Sequence, residues 1–544
     1  MKKVCRKIHN IVAFAGIWIF PVGIAVYIGY QMQVYGNISP ITLESMRPVL
    51  AICLMCMLLN IMINVCTFEN GKRKYGLLDA LNYRNDPYMR PSKKLSAMRP
   101  PVPEALQGQI PCGVVLGRQG KHYVINDPSA GGAHHTMVLG VTGCGKTSTI
   151  VLDTILCNPD SAIFAIDIKG ELYRIGTQRG DNNIVVISPT EPGMYGYDPF
   201  FSLHGAQDSD DQKIVETMTD LSLSLIPINA KSANPFWELS ARDLLCALLI
   251  FYYRRGDTTI VDIVDDITAA RIEDVIEIVY NEAAEDSPEH RMITRYVGMA
   301  TETLSGVNAQ MMSALSVFVS DENIRRMFRD NPLRANPELL NAGKSIYLAI
   351  AEEHLERYAR IVHLIFNQTV NAMERRKETE KPVIMIVDEL ARILSTGRLT
   401  KLENGLETLR SRNVTMLLIS QSVEALERAY AKADIQALMN NCPYKMILSA
   451  TSKETQDAVI GWAGQYEEYK YSRGISGNRR SSNVAYEKRN IIEPKDLITL
   501  PEEGECVVIT PYGYNRIWKV PYYKDRYIKK IAADIRKHNQ KWEV

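Results

Sequence analysis

The chain has 544 residues, more than one ordinary domain holds, so two or three folded units are expected. Its 63 lysine and arginine residues nearly balance 62 aspartate and glutamate residues, which gives a net charge of +1. This balance excludes a globally basic nucleic-acid-binding protein but leaves local basic patches open. Charge therefore neither supports nor excludes DNA as a partner.

Two uncharged stretches lie near the N-terminus, at residues 11–30 and 48–66. Each is close to the length of about 20 residues that a helix needs to cross a bilayer. The first stretch has an alternative reading as a signal peptide, but it lacks a small-residue cleavage pattern and a second stretch soon follows it. We therefore predict a membrane hairpin over residues 1–68.

Basic residues flank this hairpin at both outer ends, at positions 2, 3, 6 and 7 and at positions 72–74, whereas the segment between the spans has no lysine and one arginine, at its end. By the positive-inside bias, both ends of the hairpin face the cytoplasm. The predicted location is the cell membrane, with a cytoplasmic body. The ten scattered cysteines favour a reduced environment for that body.

The cytoplasmic body begins with a polar, proline-bearing connector at 69–108, which precedes a strand-like stretch at 112–127. Beyond it, short apolar runs rich in β-branched residues are typical of strands buried on both faces of a sheet. These runs are TMVLG, SAIFAID, NIVVIS, SIYLAIA, VIMIVDE, VTMLLISQ, KMILSA and ECVVIT. They predict an α/β fold with a mainly parallel sheet.

Helical periodicity replaces this alternation between residues 208 and 335. The change predicts an all-helical domain inserted into the α/β domain, whose two parts are 109–207 and 336–544. The last stretch, KDRYIKKIAADIRKHNQKWEV, is predicted to be a basic amphipathic helix.

A phosphate-binding loop is predicted at GVTGCGKT, which fits G-x-x-x-x-G-K-[ST] between a strand and a helix. Glycines let backbone amides wrap the phosphates, and the helix N-terminus adds positive potential. Lys146 is expected to reach the β- and γ-phosphates, and Thr147 to ligate magnesium. The predicted binding residues are Gly140, Val141, Thr142, Gly143, Cys144, Gly145, Lys146, Thr147 and Ser148.

Two segments compete for the role of holding magnesium and activating water. One strand-like run ends at Asp167, and another ends at the adjacent pair Asp388 and Glu389. The pair is favoured, because Asp388 can hold hydrated magnesium while Glu389 polarises the attacking water. The alternative is a solvated acidic strand end. Asp167, Lys169 and Glu171 form a separate group whose chemistry does not follow from spacing.

Three polar side chains flank the run VTMLLIS. Gln421 follows it immediately and is expected to sense the γ-phosphate. Arg410 and Arg412 precede it and are candidates for an arginine that reaches a neighbouring subunit's phosphate, with solvated helix-end charges as the alternative reading. His134 and His135 lack metal-type partners nearby and are interpreted as loop residues.

A basic segment, residues 470–489, combines six lysine and arginine residues, among them Arg473, Arg479, Arg480, Lys488 and Arg489, with serine, glycine and tyrosine. Phosphates attract mobile cations and bases stack on aromatic rings, so this loop is a candidate DNA contact. A surface hairpin without such a role is the alternative.

Several segments together resemble the type IV coupling proteins, the TraG/TraD-type conjugation ATPases. Besides the hairpin and the phosphate loop, the resemblance rests on DIKGELY, NPFWELSARDLLCALL, IMIVDELARI, RSRNVTMLLISQS and RNIIEPKDLITLPEEGECVVITPYG. It extends from the anchor almost to the C-terminus. Cys144 stands where the family often has serine, a difference of little consequence because that position acts through its backbone.

The resemblance implies a RecA-like motor that uses ATP and Mg²⁺ and assembles as a homo-hexamer at a type IV secretion channel. Its partners would be channel components, a relaxase or relaxosome, and single-stranded DNA. Gly140 to Thr147 would bind ATP, Asp388 and Glu389 would serve magnesium and water, and Gln421 would sense the nucleotide. Arg412, rather than Arg410, would act on the neighbouring subunit.

Two other functions compete with this one. An ATP-dependent receptor for exported effector proteins would have the same nucleotide site, so the sequence does not separate the two cargoes. A double-stranded DNA translocase of the FtsK kind is disfavoured by DIKGELY, by NPFWELSARD and by the helical insert.

Overall fold

The computed structural model describes residues 100–127, 134–177, 184–191, 194–204, 211–228, 235–377, 381–428, 430–476 and 479–540, and the short paired strands β1 (Phe68–Glu69) and β2 (Lys72–Arg73). The chain divides into a large unit, 95–467 with 488–544, and a second unit, 1–94 with 468–487. The predicted spans at 11–30 and 48–66 lie outside the described residues. Within the described ranges, no helix is long and apolar enough to cross a membrane.

The large unit is built on one twelve-stranded sheet. Its strands are β3 (Gln107–Gly108), β4 (Val114–Gln119), β5 (His122–Asn126), β6 (Thr136–Leu139), β7 (Ala162–Asp167), β8 (Ile184–Ile187), β11 (Ser345–Ala349), β12 (Val383–Val387), β13 (Val414–Ser420), β14 (Tyr444–Ile447), β17 (Glu505–Thr510) and β18 (Gly513–Trp518). Two further strands, β9 (Gly196–Tyr197) and β10 (Arg334–Ala335), pair in parallel. Strand β3, which the sequence placed in the connector, pairs with β5.

The strand order is β3-β5-β4-β18-β17-β14-β6-β13-β12-β7-β11-β8. From β14 to β8 the pairings are all parallel, and from β17 to β3 they are antiparallel. All eight apolar runs form strands of this sheet, so the predicted mainly parallel sheet is confirmed. Because parallel strands end at one edge, the segments after β6, β12 and β13 lie side by side.

The sheet is buried on both faces, which explains its continuous apolar strands. Along β12, Val383, Met385 and Val387 pack into one apolar cluster, while Ile384 and Ile386 pack into the cluster on the opposite face. The alternation follows the two-residue period of a strand.

Helices cover both faces and form the region after β9. They are α1 (Leu152–Cys157), α2 (Leu172–Thr177), α3 (Asp211–Leu225), α4 (Phe236–Arg255), α5 (Ile260–Thr268), α6 (Ile272–Glu282), α7 (Pro288–Ile293), α8 (Thr301–Ser320), α9 (Glu322–Arg325), α10 (Glu338–Asn341), α11 (Ala359–Glu374), α12 (Leu390–Leu394), α13 (Leu402–Thr408), α14 (Lys432–Asn441), α15 (Lys453–Ala463), α16 (Pro494–Glu503) and α17 (Arg526–Gln540).

Helices α3 to α9 lie within the stretch predicted to be an all-helical insert. Their buried side chains, such as Leu221 and Leu248, belong to the same apolar cluster as Phe164 of the sheet. The insert therefore shares a continuous core with the sheet. Its domain boundaries at 208 and 335 stay a prediction.

The C-terminal segment forms the predicted helix, α17, which packs against the phosphate-loop side of the sheet. Ile528 lies in a small apolar cluster with Val115, Leu156 and Cys157. Asp525, just before the helix, accepts hydrogen bonds from the Tyr123 hydroxyl at 2.8 Å and from Arg118 at 3.2 Å. These contacts fix the start of α17 on strands β4 and β5 and on α1.

The segment 470–489, the candidate DNA contact, lies in a β-hairpin of strands β15 (Gln465–Ser476) and β16 (Arg479–Asn490), the shape that the alternative reading gave it. Its residues 468–487 belong to the second unit. The Gly-Asn pair at 477–478, between two stretches rich in tyrosine and serine, is a sequence signal of such a hairpin.

His134 and His135 lie in the loop before β6, as predicted, and His135 is buried there. Its Nδ1 accepts a hydrogen bond of 2.9 Å from the Met416 backbone amide. Burial, together with the charges of His134 and Arg410, lowers the pKa of His135 to about 4. Burial and the charge of Arg360 likewise lower the pKa of His363 to about 4.

The lowered pKa values of these two histidines predict that the folded chain loses stability in acid. Between the unfolded pKa of about 6.5 and the folded pKa, only the unfolded chain binds the proton, so stability falls as pH falls through this window. The loss is at most about 1.4 kcal/mol per pH unit for each histidine. The midpoint of thermal unfolding, measured from pH 7.5 to 5, should fall less steeply in His135→Asn, whose side-chain oxygen still accepts the Met416 amide. Equal slopes would contradict the assignment.

Candidate functional site

The phosphate loop connects β6 to one π-helical turn, Thr147–Val151, which continues into α1. Gly143 and Gly145 adopt φ values of 82° and 93°, a left-handed region that favours glycine. A Cβ at Gly140 would lie 2.6 Å from Cys144 Sγ and 3.0 Å from Leu448 Cβ. The glycines of the pattern are thus required by backbone conformation and by close packing.

Hydrogen bonds to the ends of β13 and β14 and to the C-terminal segment hold the phosphate loop in place. The Gly140 amide donates to the Ser420 carbonyl at the end of β13, at 3.3 Å. The Val141 amide donates to Ser449 Oγ beyond β14, at 3.0 Å. From the C-terminal segment, Lys519 Nζ donates to the Cys144 carbonyl at 3.3 Å. The Tyr522 amide donates to the Ser148 carbonyl at 3.1 Å.

Lys519 was not singled out by the sequence, and its contact gives a testable prediction. By holding the Cys144 carbonyl, it fixes the orientation of adjacent amides that would face a phosphate. Lys519→Met is expected to weaken nucleotide binding about two- to tenfold, the range of a typical net hydrogen bond. Titration with a fluorescent nucleotide measures this, with the exposed Lys524→Met as the control. Equal affinity in the two variants would show that Lys519 does not position the loop.

Lys146 is only 6% exposed and folds back on its own loop. Its Nζ donates to the carbonyls of Gly140 at 2.9 Å and Val141 at 3.3 Å. The hydroxyls of Ser148 and Thr149 both donate to the Gly145 carbonyl, at 3.3 and 2.7 Å. Within the described part of the chain the Thr147 hydroxyl forms no hydrogen bond, so it is the hydroxyl available to a metal.

Asp388 follows β12 and is 4% exposed. Its Oδ1 accepts a hydrogen bond of 3.0 Å from the Glu389 amide. Burial and the neighbouring Glu389 charge raise the pKa of Asp388 to about 6, while the charges of Lys169 and Lys146 oppose this rise. The charge of Lys146 therefore acts on Asp388, as expected where the phosphate loop and this carboxylate line one site.

Glu389 has a φ of 52°, a left-handed conformation that is uncommon outside glycine and occurs at functional sites. Its Oε1 accepts from Lys169 Nζ at 3.0 Å and its Oε2 from Gln421 Nε2 at 3.4 Å. Burial raises the pKa of Glu389, but the Lys169 hydrogen bond and the charges of Lys146 and Lys169 outweigh it, so the net pKa is lowered. Lys169, Glu389 and Gln421 thus form one cluster.

Asp167, the competing carboxylate, serves the backbone. It is 1% exposed, and its oxygens accept the amides of Glu171 at 3.2 Å, Leu172 at 2.9 Å and Tyr173 at 3.0 Å. Burial raises its pKa while these amides oppose the rise. Asp167 therefore holds the turn that leads into α2.

The arginines lie far from the phosphate loop of their own chain. Arg410 and Arg412 are in the 3₁₀ turn before β13, whereas Gln421 follows β13. Strand β13 has seven residues, which corresponds to roughly 20 Å. The structure therefore does not bring Arg412 to its own phosphate loop, as expected if it acts on a neighbouring subunit.

A cleft of about 400 Å³ opens beside the phosphate loop, lined by Val141, Thr142, Gln421, Ser422, Ala450, Thr451, Ser452 and Thr455. Glu424 braces the lining residue Thr455: its carboxylate accepts hydrogen bonds from the Thr455 hydroxyl at 2.8 Å and from the Thr455 amide at 3.2 Å. Burial raises the pKa of Glu424, but hydrogen bonds, those of Thr455 among them, lower it to about 2. The sequence did not indicate this brace.

The residues present fit a magnesium–nucleotide complex. Mg²⁺ prefers oxygen ligands, keeps several waters and is usually bound by one or two protein groups and by substrate phosphates. The Thr147 hydroxyl and the Asp388 carboxylate are the groups that would hold it. Lys146 and the loop amides would hold the phosphates.

The sequence was compared with protein-family models. Residues 95–544 match the family described as "Type IV secretory system Conjugative DNA transfer". The match covers well over half of the chain and includes the phosphate loop, both carboxylates, Gln421 and α17.

Similar curated proteins include proteins named VirD4. Protein VirD4 of Agrobacterium fabrum (strain C58 / ATCC 33970) is 23% identical over 408 residues, which covers 73% of this chain and 60% of that protein. The type IV secretion system-coupling protein VirD4 of Bartonella quintana (strain Toulouse) is 22% identical over 400 residues, which covers 70% and 61%. The matched region thus spans about 60% of the length of these relatives.

Solved structures share the fold. The bacterial conjugative coupling protein TrwBdeltaN70, in an unbound form, has a TM-score of 0.60 at 14% identity and covers 80% of this chain and 93% of its own. The plasmid coupling protein TrwB in complex with the ATP analogue ADPNP has a TM-score of 0.60 at 14% identity, covering 76% and 90%. Its complex with ADP and Mg²⁺ has a TM-score of 0.56 at 15% identity, covering 71% and 85%. The predicted RecA-like P-loop fold is confirmed.

Proposed function

Because the chain belongs to the type IV secretory system conjugative DNA transfer family, we propose that it is a coupling ATPase of a type IV secretion system. In this function it recruits relaxase-bound single-stranded DNA to the channel and drives or licenses DNA transfer by hydrolysing ATP. The carrying observation is the meeting of a phosphate loop with Asp388, Glu389 and Gln421 at one edge of the sheet.

Each residue of the site has a separate role in the proposed ATP hydrolysis. Lys146, whose Nζ bonds to carbonyls of its own loop, would turn to the β- and γ-phosphates. There its positive charge would offset the negative charge that develops during phosphoryl transfer to water. Glu389 would accept a proton from the attacking water, and Gln421 beside it would orient that water or the γ-phosphate. Mg²⁺ held by Thr147 and Asp388 would neutralise phosphate charge.

Support for ATP and Mg²⁺ comes from two directions. The site offers the loop, the lysine and the oxygen ligands that such a complex needs. The coupling protein TrwB, which shares the fold, has been solved with ADPNP and with ADP and Mg²⁺. We extend those ligands to this chain.

A homo-hexameric ring is proposed as the active assembly. The position of Arg412, about one strand length from its own site, supports a role on the neighbouring subunit's γ-phosphate, where an arginine stabilises transition-state charge. The 400 Å³ cleft beside Gln421 lies at the phosphate-loop edge, where such an approach would be made.

The membrane and DNA roles rest on sequence. Residues 11–30 and 48–66 are proposed to anchor the chain in the cell membrane with both ends cytoplasmic, next to the channel components. The 470–489 segment, with its six lysine and arginine residues and its tyrosines, is proposed to contact single-stranded DNA.

The test is ATP turnover by the purified full-length chain in detergent, alone and with single-stranded or double-stranded DNA. Stimulation by single strands is the expected result. Stimulation by double-stranded DNA alone would favour a duplex translocase. An ATP turnover that neither form of DNA changes would favour a receptor for exported proteins. Absence of turnover under all conditions, with nucleotide binding intact, would contradict a self-sufficient ATPase.

A further inference from the structure

Lys169 contacts the proposed catalytic base, although its chemistry did not follow from the sequence. It lies two residues beyond Asp167, whose carboxylate fixes the turn through three backbone amides. The next residue, Gly170, has a φ of 68°, which turns the chain back towards α2. The backbone at Lys169 is therefore held in place, while its side chain is 39% exposed.

Both carboxylate oxygens of Glu389 are engaged, Oε1 by Lys169 at 3.0 Å and Oε2 by Gln421 at 3.4 Å. A general base must present an oxygen lone pair to the proton that it abstracts. Each oxygen keeps a further lone pair, but the Lys169 hydrogen bond fixes the orientation of the carboxylate and so restrains Glu389 from turning towards water. We call this Lys169–Glu389 ion pair the clamp.

The clamp is weak enough to be broken by a nucleotide. A partly exposed lysine–carboxylate pair contributes about 0–1 kcal/mol, because water and salt screen it. A γ-phosphate brings more than one negative charge, and the flexible lysine stem lets the ammonium move between two anions. Lys146 is the other cation of the site, and its Nζ is bound to the loop carbonyls.

We propose that Lys169 is a positioning residue that senses the γ-phosphate: it holds Glu389 when the γ-phosphate is absent and moves to the γ-phosphate when ATP binds. This inference rests on the proposed ATPase function. Release of Oε1 then lets Glu389 take the proton as water oxygen bonds to the γ-phosphorus. The bond from that phosphorus to the β–γ bridging oxygen breaks, and ADP leaves with the electron pair. ATP and water thus yield ADP and phosphate, with the released proton on Glu389.

The experiment compares Lys169→Met and Lys169→Arg with the parent chain, using ADPNP and ADP as probes of binding and ATP as the probe of turnover. Because only ADPNP carries a γ-phosphate, Lys169→Met should weaken ADPNP binding about tenfold and leave ADP binding within about twofold. Its kcat should fall by about tenfold or more with a smaller change in KM. Lys169→Arg should recover most of both losses.

Lys121→Met is the matched control, since Lys121 is exposed in the turn between β4 and β5. An ADPNP-to-ADP affinity ratio that Lys169→Met leaves unchanged would overturn the proposal, as would a kcat that rises. The affinity ratio also separates this proposal from the ATPase function. The parent chain could bind ADPNP more tightly than ADP without hydrolysing ATP, and Lys169→Met could lose this preference. That result would refute the ATPase function and uphold γ-phosphate sensing. If Lys169→Met unfolds, Lys169→Gln, which keeps a hydrogen-bond donor for Glu389 but not the charge, should show the same loss of ADPNP preference.

Discussion

Replacing Glu389 with glutamine is expected to leave nucleotide binding intact and to lower ATP turnover by roughly 10²- to 10⁴-fold, the usual contribution of a general base. Glutamine has nearly the same shape and still accepts a hydrogen bond from Lys169, but it does not take a proton from water. Phosphate release under saturating ATP measures turnover, and displacement of a fluorescent nucleotide measures binding.

Glu356→Gln is the control for this substitution, because Glu356 is an exposed glutamate in the turn before α11. It should turn over ATP at the parent rate. Turnover by Glu389→Gln that matches this control would show that another group accepts the proton, and the assignment of Glu389 as the base would be wrong.

Replacing Lys146 with alanine is expected to weaken ATP binding by roughly ten- to 100-fold, since hydrogen bonds to charged groups contribute about 1.5–3 kcal/mol. In this structure Nζ bonds only to the carbonyls of Gly140 and Val141, both within the loop. The fold should therefore survive, and the loss should appear in calorimetric titration with ADPNP rather than in thermal unfolding.

Lys445→Ala provides a comparison for Lys146→Ala, because Lys445 is also buried and its Nζ donates to a backbone carbonyl, that of Cys442, at 2.8 Å. This second variant removes a buried lysine without touching the phosphate loop. Similar ADPNP affinities in the two variants would mean that Lys146 does not contact the phosphates.

The strands and the phosphate loop follow from the sequence because local rules determine them. A strand buried on both faces has few polar positions, so β7, β12 and β13 appear as apolar runs. Gly143 and Gly145 are needed for their positive φ values, which a pattern of glycines signals directly. The parallel arrangement then brings the ends of these strands to one edge, which is why Asp388, Glu389 and Gln421 could be placed near Lys146.

What the sequence did not indicate are contacts between residues distant in the chain. Lys169 and Glu389 are 220 positions apart, and Lys519 and Cys144 are 375 apart. Each pair depends on strand order and on side-chain conformation, for which a single sequence carries no periodic signal.

Asp167 shows how spacing alone can mislead. It ends a strand and lies near a lysine and a glutamate, a sequence pattern that also fits a metal-binding aspartate. In the structure its two oxygens are saturated by the backbone amides of residues 171–173. Its neighbour Lys169 reaches the site instead, so the DIKGE segment contributes a cation to the site rather than a metal ligand.

DNA transfer from donor cells tests most directly whether ATP turnover at this site drives or licenses transfer. Donors would carry the full-length parent chain, Glu389→Gln or Glu356→Gln, at equal amounts in the membrane fraction. We expect Glu389→Gln to lower the transfer frequency to that of donors without the protein, while Glu356→Gln transfers like the parent. Transfer by Glu389→Gln at the parent frequency, with its ATP turnover abolished, would contradict a coupling ATPase.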